Sequence, residues 1–350
     1  RRQRQMCIRD RLIIDEAQRY PELFNELRGV IDEDRAKKGR FLITGSSSPE
    51  LVRQISETLP GRIATVELGT LRANEYYQQP LGEFFSIFED RLCSDLLTSL
   101  KPAVSHEKLL QFWFTGGYPE PALSEEDRFW ENWMLSYFDS YINRDLQALF
   151  PKLDKVRYRR FVQMLAHVSG CSLVKSDLAQ SVEVSESTIK DYIEIADGTF
   201  VWRNLTSYEH NIRRQVFKMP RGHFRDSGLL HFLLKLRSFS DLERHPMLGR
   251  SFENFVIEEI LKGLTASSVT GWSAHYYRTR ARSEIDLILH GPFGVLPIDI
   301  KYGYRVRRDD YRTLQSFVRE HQLPFGVLIN NSEMVEWLAP EIIQIPANCL

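Results

Sequence analysis

Glu284, Asp286, Asp299 and Lys301 are the charged residues of this 350-residue chain whose spacing best suits a reactive centre. They lie on Ser283 to His290 and Val295 to Lys301, two stretches that alternate apolar and polar residues as half-buried strands do. The Gly291-Pro292-Phe293-Gly294 segment between them predicts a hairpin connection. Ile285, Leu287 and Leu289 share one face of the first arm, and Glu284 and Asp286 the other. A hairpin symmetric about its loop sets His290 against Val295, Asp286 against Asp299 and Glu284 against Lys301. Like charges directly opposite each other repel. A divalent cation would offset that repulsion, and hard oxygen ligands suit Mg2+ or Mn2+. A salt-bridge cluster of Lys301 with Glu284 and the aspartates would do so without metal.

A third carboxylate comes from Leu248 to Leu261. At 100° per residue Phe252, Val256, Ile257, Ile260 and Leu261 cover one helical face, with Glu253 in its middle and Glu258 outside it. A carboxylate on a buried face needs a partner. Glu253, Asp286 and Asp299 are therefore the expected metal ligands. Lys301 is placed to stabilise charge developing on a phosphate, and the metal to activate water.

The bulk composition is that of a globular protein, 43% hydrophobic and 27% charged. A net charge of -1 supplies no global field towards nucleic acid or membrane, so such a partner must use a local patch. Cys7, Cys93, Cys171 and Cys349 are too scattered for a metal pair and fit a reducing compartment. No apolar run approaches membrane-helix length. The expectation is a cytoplasmic protein without a membrane partner.

Leu12-Ile13-Ile14-Asp15-Glu16 reads as a short buried strand ending in two acids. A helix follows from about Pro21, then a second strand, Phe41-Leu42-Ile43, and a polar loop, Thr44-Gly45-Ser46-Ser47-Ser48. Strand, helix, strand predicts parallel strands with ligand groups at their carboxyl ends. This stretch resembles the AAA+ ATPases, the Asp-Glu strand end being similar to a Walker B motif. The resemblance implies that Asp15 holds the magnesium shell of ATP and Glu16 polarises the attacking water. It implies sensor roles for Thr44 or Ser46, and for Arg62 a phosphate-sensing role, against which stands a plain surface arginine. No Gly-x-x-x-x-Gly-Lys-Ser/Thr loop occurs in the chain. Phosphoryl transfer needs such a loop, so the expected core is partial and this chain is not expected to hydrolyse ATP. Met6 to Asp10 resembles a translated transposon adapter, and residues 1–10 are set aside as a non-native leader.

Glu67 to Pro102 reads as helical, with an apolar set that includes Phe84, Phe85 and Phe88, and Trp130 to Phe150 as a further helix. Arg144 and Asp145 read as a structural ion pair. Further on, a short helix capped by Ser176 and a second helix starting at Ser185 predict a helix-turn-helix, with Phe200 to Tyr208 as a wing. Thr188 and Lys190 would face base edges. Arg203, Arg213, Arg214, Lys218, Arg221 and Arg225 make a local basic patch suited to phosphates. The expected DNA contacts are thus Thr188, Lys190, Arg213 and Arg214. A winged helix used only for protein packing is the alternative.

The order of inward Glu253, then strands carrying Asp286 and Asp299-Ile300-Lys301, then a helix and a strand, resembles the PD-(D/E)XK nuclease core. From about Arg11 to its end the chain resembles bacterial and archaeal ATPases that join an AAA+ domain, a winged helix and a nuclease-like region of unknown function. The resemblance also rests on Asp15-Glu16-Ala17-Gln18, Gly116-Gly117-Tyr118-Pro119 and Gly249-Arg250-Ser251-Phe252-Glu253. It implies an α/β fold in successive parts: a partial AAA+ core over residues 11–68, a helical lid and linker over 69–150, a winged helix over 151–220 and a restriction-endonuclease-like domain over 221–350. Two functions follow as expectations. One is an ATP-dependent, DNA-associated protein with a metal-dependent nuclease domain, in which Glu16 and Lys301 are catalytic. The other is a non-catalytic ATP-driven switch whose nuclease-like domain only binds a partner.

Overall fold

The computed structural model describes residues 11–17, 20, 22–45, 58–124, 129–208, 220–279 and 283–350. Two sheets organise them. The smaller is a parallel pair, β1 (Leu12–Ile14) and β2 (Phe41–Ile43), linked by the helix Leu23–Glu33. Parallel neighbours require such a crossover. The helix buries Phe24 and Leu27, and Phe24 packs with Ala17 and Leu59.

The larger sheet has nine described strands in the order β10-β11-β9-β8-β7-β6-β4-β5-β3. These are β3 (Cys171–Ser172), β4 (Trp202–Ser207), β5 (Arg221–Phe224), β6 (Ser273–Arg278), β7 (Glu284–Gly291), β8 (Gly294–Ile300), β9 (Gly326–Asn330), β10 (Glu336–Ala339) and β11 (Ile342–Pro346). β4 runs parallel to β6 through Thr206↔His275 and Ser207↔Tyr276. The sheet therefore continues across residue 220 without a break. Upstream of β4 stand three helices, Lys155–His167, Lys175–Val182 and Glu186–Gly198. Glu183, left-handed at φ 60°, ends the second, and Ser185 caps the third by accepting from the Thr188 amide at 3.1 Å. The expected Ser176 cap is corrected. The chain arrives extended at Val174, one residue before the helix, so Ser176 lies inside the first turn.

The hairpin register is as read from the sequence from His290↔Val295 to Leu287↔Ile298, but the expected pairs Asp286↔Asp299 and Glu284↔Lys301 are corrected, since the ladder ends before them. Only Pro292 and Phe293 lie between the two strands, and Gly294 takes φ +108° there. The strict alternation of the first arm is corrected. β6 pairs His275 with Ile288 but Tyr277 with Ile285, so Tyr276 faces two residues, Asp286 and Leu287. This bulge shifts the faces. Ile285 joins Ile288, Leu314, Phe317 and Leu328 under the helix Arg308–Glu320, while Leu287 and Leu289 join the core of the helix Leu248–Ala266.

The long helices expected between Glu67 and Pro102 are replaced by short pieces, Ala73–Tyr76, Glu83–Phe88 and Leu97–Ser99. Pro80 and Gly82 interrupt any longer helix there. The aromatic set instead clads the C-terminal sheet. Phe88 meets Phe293 edge-on at 4.9 Å, Gly263 lies against the Phe85 ring, and the Ala103 amide donates to the Asn348 carbonyl at 2.7 Å. Residues 70–118 thus share one continuous core with the large sheet. The helix Phe129–Ser140 runs into a single π-turn, Tyr141–Asp145, where Arg144 and Asp145 pair at 2.9 Å on the surface. No described helix is long and apolar enough to cross a membrane.

Candidate functional site

The β7–β8 ladder stops at Leu287↔Ile298, and the two strands part beyond it. Asp286 stands at that fork. Its Oδ2 accepts from the Ile300 amide at 3.0 Å, so the side chain takes the place of a ladder partner. Asp299 and Lys301 follow on β8 and immediately after it. Lys301 Nζ is 3.0 Å from Asp299 Oδ1 and 3.8 Å from Asp286 Oδ2. Glu253 reaches the same place from the helix Leu248–Ala266. The structure therefore brings together all four residues read from the sequence, in a cleft of about 340 Å3 also lined by Arg250, Arg278 and Glu284.

A fifth residue decides the chemistry. Arg221, at the start of β5, donates through Nη1 to Asp286 Oδ1 at 2.9 Å and through Nη2 to Glu253 Oε2 at 2.7 Å. Its Nε donates to the Gly170 carbonyl at 2.7 Å. Its side chain is 7% exposed, as is that of Asp286. Sequence reading placed Arg221 in an exposed basic patch. No local pattern in Arg221-Gly222-His223-Phe224 marks it as buried; the burial of all four residues is seen only in the structure.

The titration pattern matches this geometry. Burial opposes ionisation of Asp286, but Arg221 and Lys301 outweigh it and hold the carboxyl well below the usual range. Burial and the neighbouring Asp286 push Asp299 well above that range. Burial, then Asp286, raise Glu253 to about 7. Within this coupled pair the surroundings favour the charged form of Asp286 and the neutral form of Asp299. The expected metal ligands Glu253, Asp286 and Asp299 do line one cleft, with a cation of the protein's own between two of them. Arg221 occupies the cationic position between Asp286 and Glu253, and among the described residues no group of three potential ligands is arranged to hold a metal ion. The carboxylates as they stand do not fit a divalent cation. Glu284 also departs from expectation, because Arg278 takes it at 2.9 Å in place of Lys301.

Glu258, read as lying outside the apolar face, is more deeply buried than Glu253. Arg203 on β4 binds it through both Nε and Nη2, the latter at 3.2 Å, and His223 on β5 lies 2.9 Å away. Burial would raise its carboxyl, but Arg203 and His223 reverse the effect and hold it below the ordinary range. Glu259 is equally buried and accepts from the Ala73 amide at 3.0 Å. Glu258 is thus internal because β4 brings the Arg203 cation to it and β5 a hydrogen-bonding imidazole, His223. Arg225 is buried too, over the Phe200 ring and paired with Glu67. Arg203, Arg221 and Arg225 are consequently engaged in internal ion pairs, and the basic patch does not include them.

At the ends of β1 and β2, the Thr44 hydroxyl donates to Asp15 Oδ1, as does the Glu16 amide at 3.0 Å. Glu16 has a left-handed φ of 55°. Arg62 is held by Asp32 through Nε at 2.8 Å and Nη2 at 3.0 Å. Thr188 bonds back to Ser185, and Lys190 is exposed beside Glu194 at 3.6 Å. Ser46, Arg213 and Arg214 lie outside the described residues. The Gly-Gly-Tyr-Pro motif is structural. The Gly117 amide donates to Asp226 Oδ2 at 2.8 Å, and a Cβ there would sit 2.2 Å from the Leu71 carbonyl oxygen.

Three family descriptions match the chain. They are an AAA domain over residues 2–77, a domain of unknown function (DUF8612) over 106–240, and a domain of unknown function (DUF4143) over 248–350. The first match takes in most of the stretch set aside as a leader. Two uncharacterized proteins, one of Mycobacterium tuberculosis and one of Mycobacterium bovis, are each 30% identical to this chain over 341 residues, 96% of the chain and 68% of the relative. With the Asp15–Thr44 strand ends and the DUF4143 cleft in place, the chain belongs to the same family as these two mycobacterial proteins, a family of AAA type with an ATPase-type domain.

Proposed function

We propose that this protein is an ATP-driven, DNA-associated switch whose nuclease-like C-terminal domain is held shut by Arg221. The observation that carries the reading is the double hydrogen bond of Arg221 to Asp286 and Glu253. A buried guanidinium with three acceptors is a fixed counter-ion, and it neutralises the charge that would attract a metal. The order of strands and helix around Asp286, Asp299 and Lys301 supports the PD-(D/E)XK likeness. The filled cationic position supports the switch over the phosphodiesterase.

Two further features support the ATP and DNA parts of the reading. Asp15 and Thr44 bond across the carboxyl ends of parallel strands, a donor set that fits the magnesium shell of a nucleotide. Bound ATP would supply a γ-phosphate, Asp15 would orient its magnesium shell and Glu16 would order water, while the phosphate-binding loop that hydrolysis also needs does not occur in this sequence. The three helices 155–167, 175–182 and 186–198 with β3, β4 and β5 support a winged helix, and the exposed start of its third helix presents Lys190. The proposed place of action is the cytoplasm.

Metal-dependent cleavage is the second reading, favoured by Lys301 standing beside the two aspartates at the strand fork. Incubating the protein with linear DNA and Mg2+ or Mn2+ separates the two. The switch reading expects DNA retention with the DNA intact. Cleavage by the wild-type chain that disappears in Lys301→Ala would establish the second reading instead.

A further inference from the structure

Residues 58–69, within the later part of the AAA match, carry exposed apolar side chains near their end. Val66 is 77% exposed and Leu68 94%. Between them Glu67 turns inward. Its Oε1 accepts from Arg203 Nη2 at 3.3 Å and is held more closely by Arg225 Nη2. Arg203 lies on β4, and Arg225 follows β5 directly. Both arginines are anchored from behind: Arg203 on Glu258, and Arg225 over the Phe200 ring with its amide on the Val201 carbonyl at 3.1 Å.

β4 and β5 are one antiparallel pair, with Arg203 opposite His223 and Leu205 opposite Arg221. His223 shares Glu258 with Arg203. Arg221, two positions before His223, is the residue that fills the cleft. A continuous line of ion pairs and ladder bonds therefore runs from Glu67 to Asp286. Its first member is on the segment from the AAA part, and its last is in the nuclease-like cleft.

We propose that Glu67 is the link through which the AAA part controls the cleft. While Glu67 holds Arg203 and Arg225, β5 stays seated and Arg221 remains on Asp286 and Glu253. Withdrawal of the segment leaves two cations without that carboxylate, loosens β5 and frees Arg221 to leave. This rests on the reading that Arg221 holds the cleft closed, and it adds the route by which the closure is released.

The 350-residue chain tests this with two readouts, hydrogen–deuterium exchange of the amides of residues 221–224 and binding of Mn2+ alone by electron paramagnetic resonance. The variants are Glu67→Gln, Leu68→Ala as a control on the same segment, and Arg221→Gln. The expected result is at least tenfold faster exchange in β5 for Glu67→Gln, no change for Leu68→Ala, and Mn2+ binding in Glu67→Gln that approaches that of Arg221→Gln. Unchanged β5 exchange in Glu67→Gln overturns the link. So does faster exchange without Mn2+ binding when Arg221→Gln does bind. If Arg221→Gln itself takes no Mn2+, the closed-cleft reading fails, and the link is overturned as a control of that cleft.

Discussion

Arg221 and Asp286 are joined at 2.9 Å through Nη1 and Oδ1, although 65 positions separate them in the chain. Removing one member of a buried pair leaves the other charge without compensation, which costs about 3–5 kcal/mol. Arg221→Ala should therefore lower unfolding stability by about that amount in urea denaturation. In an Asp286→Asn background the same substitution should cost clearly less, since the two losses share one interaction. Equal costs in both backgrounds would show that Arg221 acts through packing alone.

The long helix offers a test of how closely the aromatic cladding fits. A Cβ at Gly263 would lie 2.1 Å from the Phe85 ring, while one at Gly249 meets nothing within 4 Å. Gly263→Ala should destabilise by about 1–3 kcal/mol through overpacking. Gly249→Ala should be neutral or stabilising by up to about 1 kcal/mol, from helix propensity. Thermal unfolding of the two variants checks both signs.

Glu258 sets the acid side of the stability profile. Its carboxyl is held below the ordinary range in the folded state. The stability it contributes is thus fully present above the unfolded value near 4.5 and is lost as pH falls through the lower folded value. Glu258→Gln should destabilise the protein at pH 7 and flatten the decline seen on acidification. A variant with an unchanged acid limb would show that Arg203 and His223 do not hold this group as an ion.

DNA retention, as proposed, should depend on Lys190 and on Arg213 and Arg214. Replacing these three with glutamate should weaken binding across sequences. The slope of log affinity against log salt should fall by about 0.9 for each phosphate that the protein no longer neutralises. Thr188→Ala should act less, because its hydroxyl is engaged with Ser185. Undiminished affinity in the triple variant would place any DNA surface elsewhere.

Local pattern made much of this readable in advance. The symmetry of the Gly291–Gly294 loop predicted the hairpin and its register as far as Leu287↔Ile298, because loop symmetry fixes pairing. The helical face of Phe252 and Val256 predicted that Glu253 points to the sheet. What failed were the properties set by distant partners. The bulge at Asp286 and Leu287 depends on Tyr276 across the sheet. The burial of Glu258 depends on Arg203 and His223, and the inward turn of Arg225 on Glu67. A run of arginines looks alike in sequence whether solvent or buried carboxylates await it. Arg221 was misread for that reason, and it is the residue that changes the meaning of the cleft.

The most direct measurement is a Mn2+ titration of the 350-residue chain and of Arg221→Gln, followed by electron paramagnetic resonance of the free ion. Wild type should leave the Mn2+ signal unchanged at millimolar metal, while Arg221→Gln should bind and lose that binding again on addition of Asp286→Asn. Tight Mn2+ binding by the wild-type chain, abolished by Asp286→Asn, would contradict the account: Arg221 would then yield to the metal unaided, and the cleft would be an open metal site.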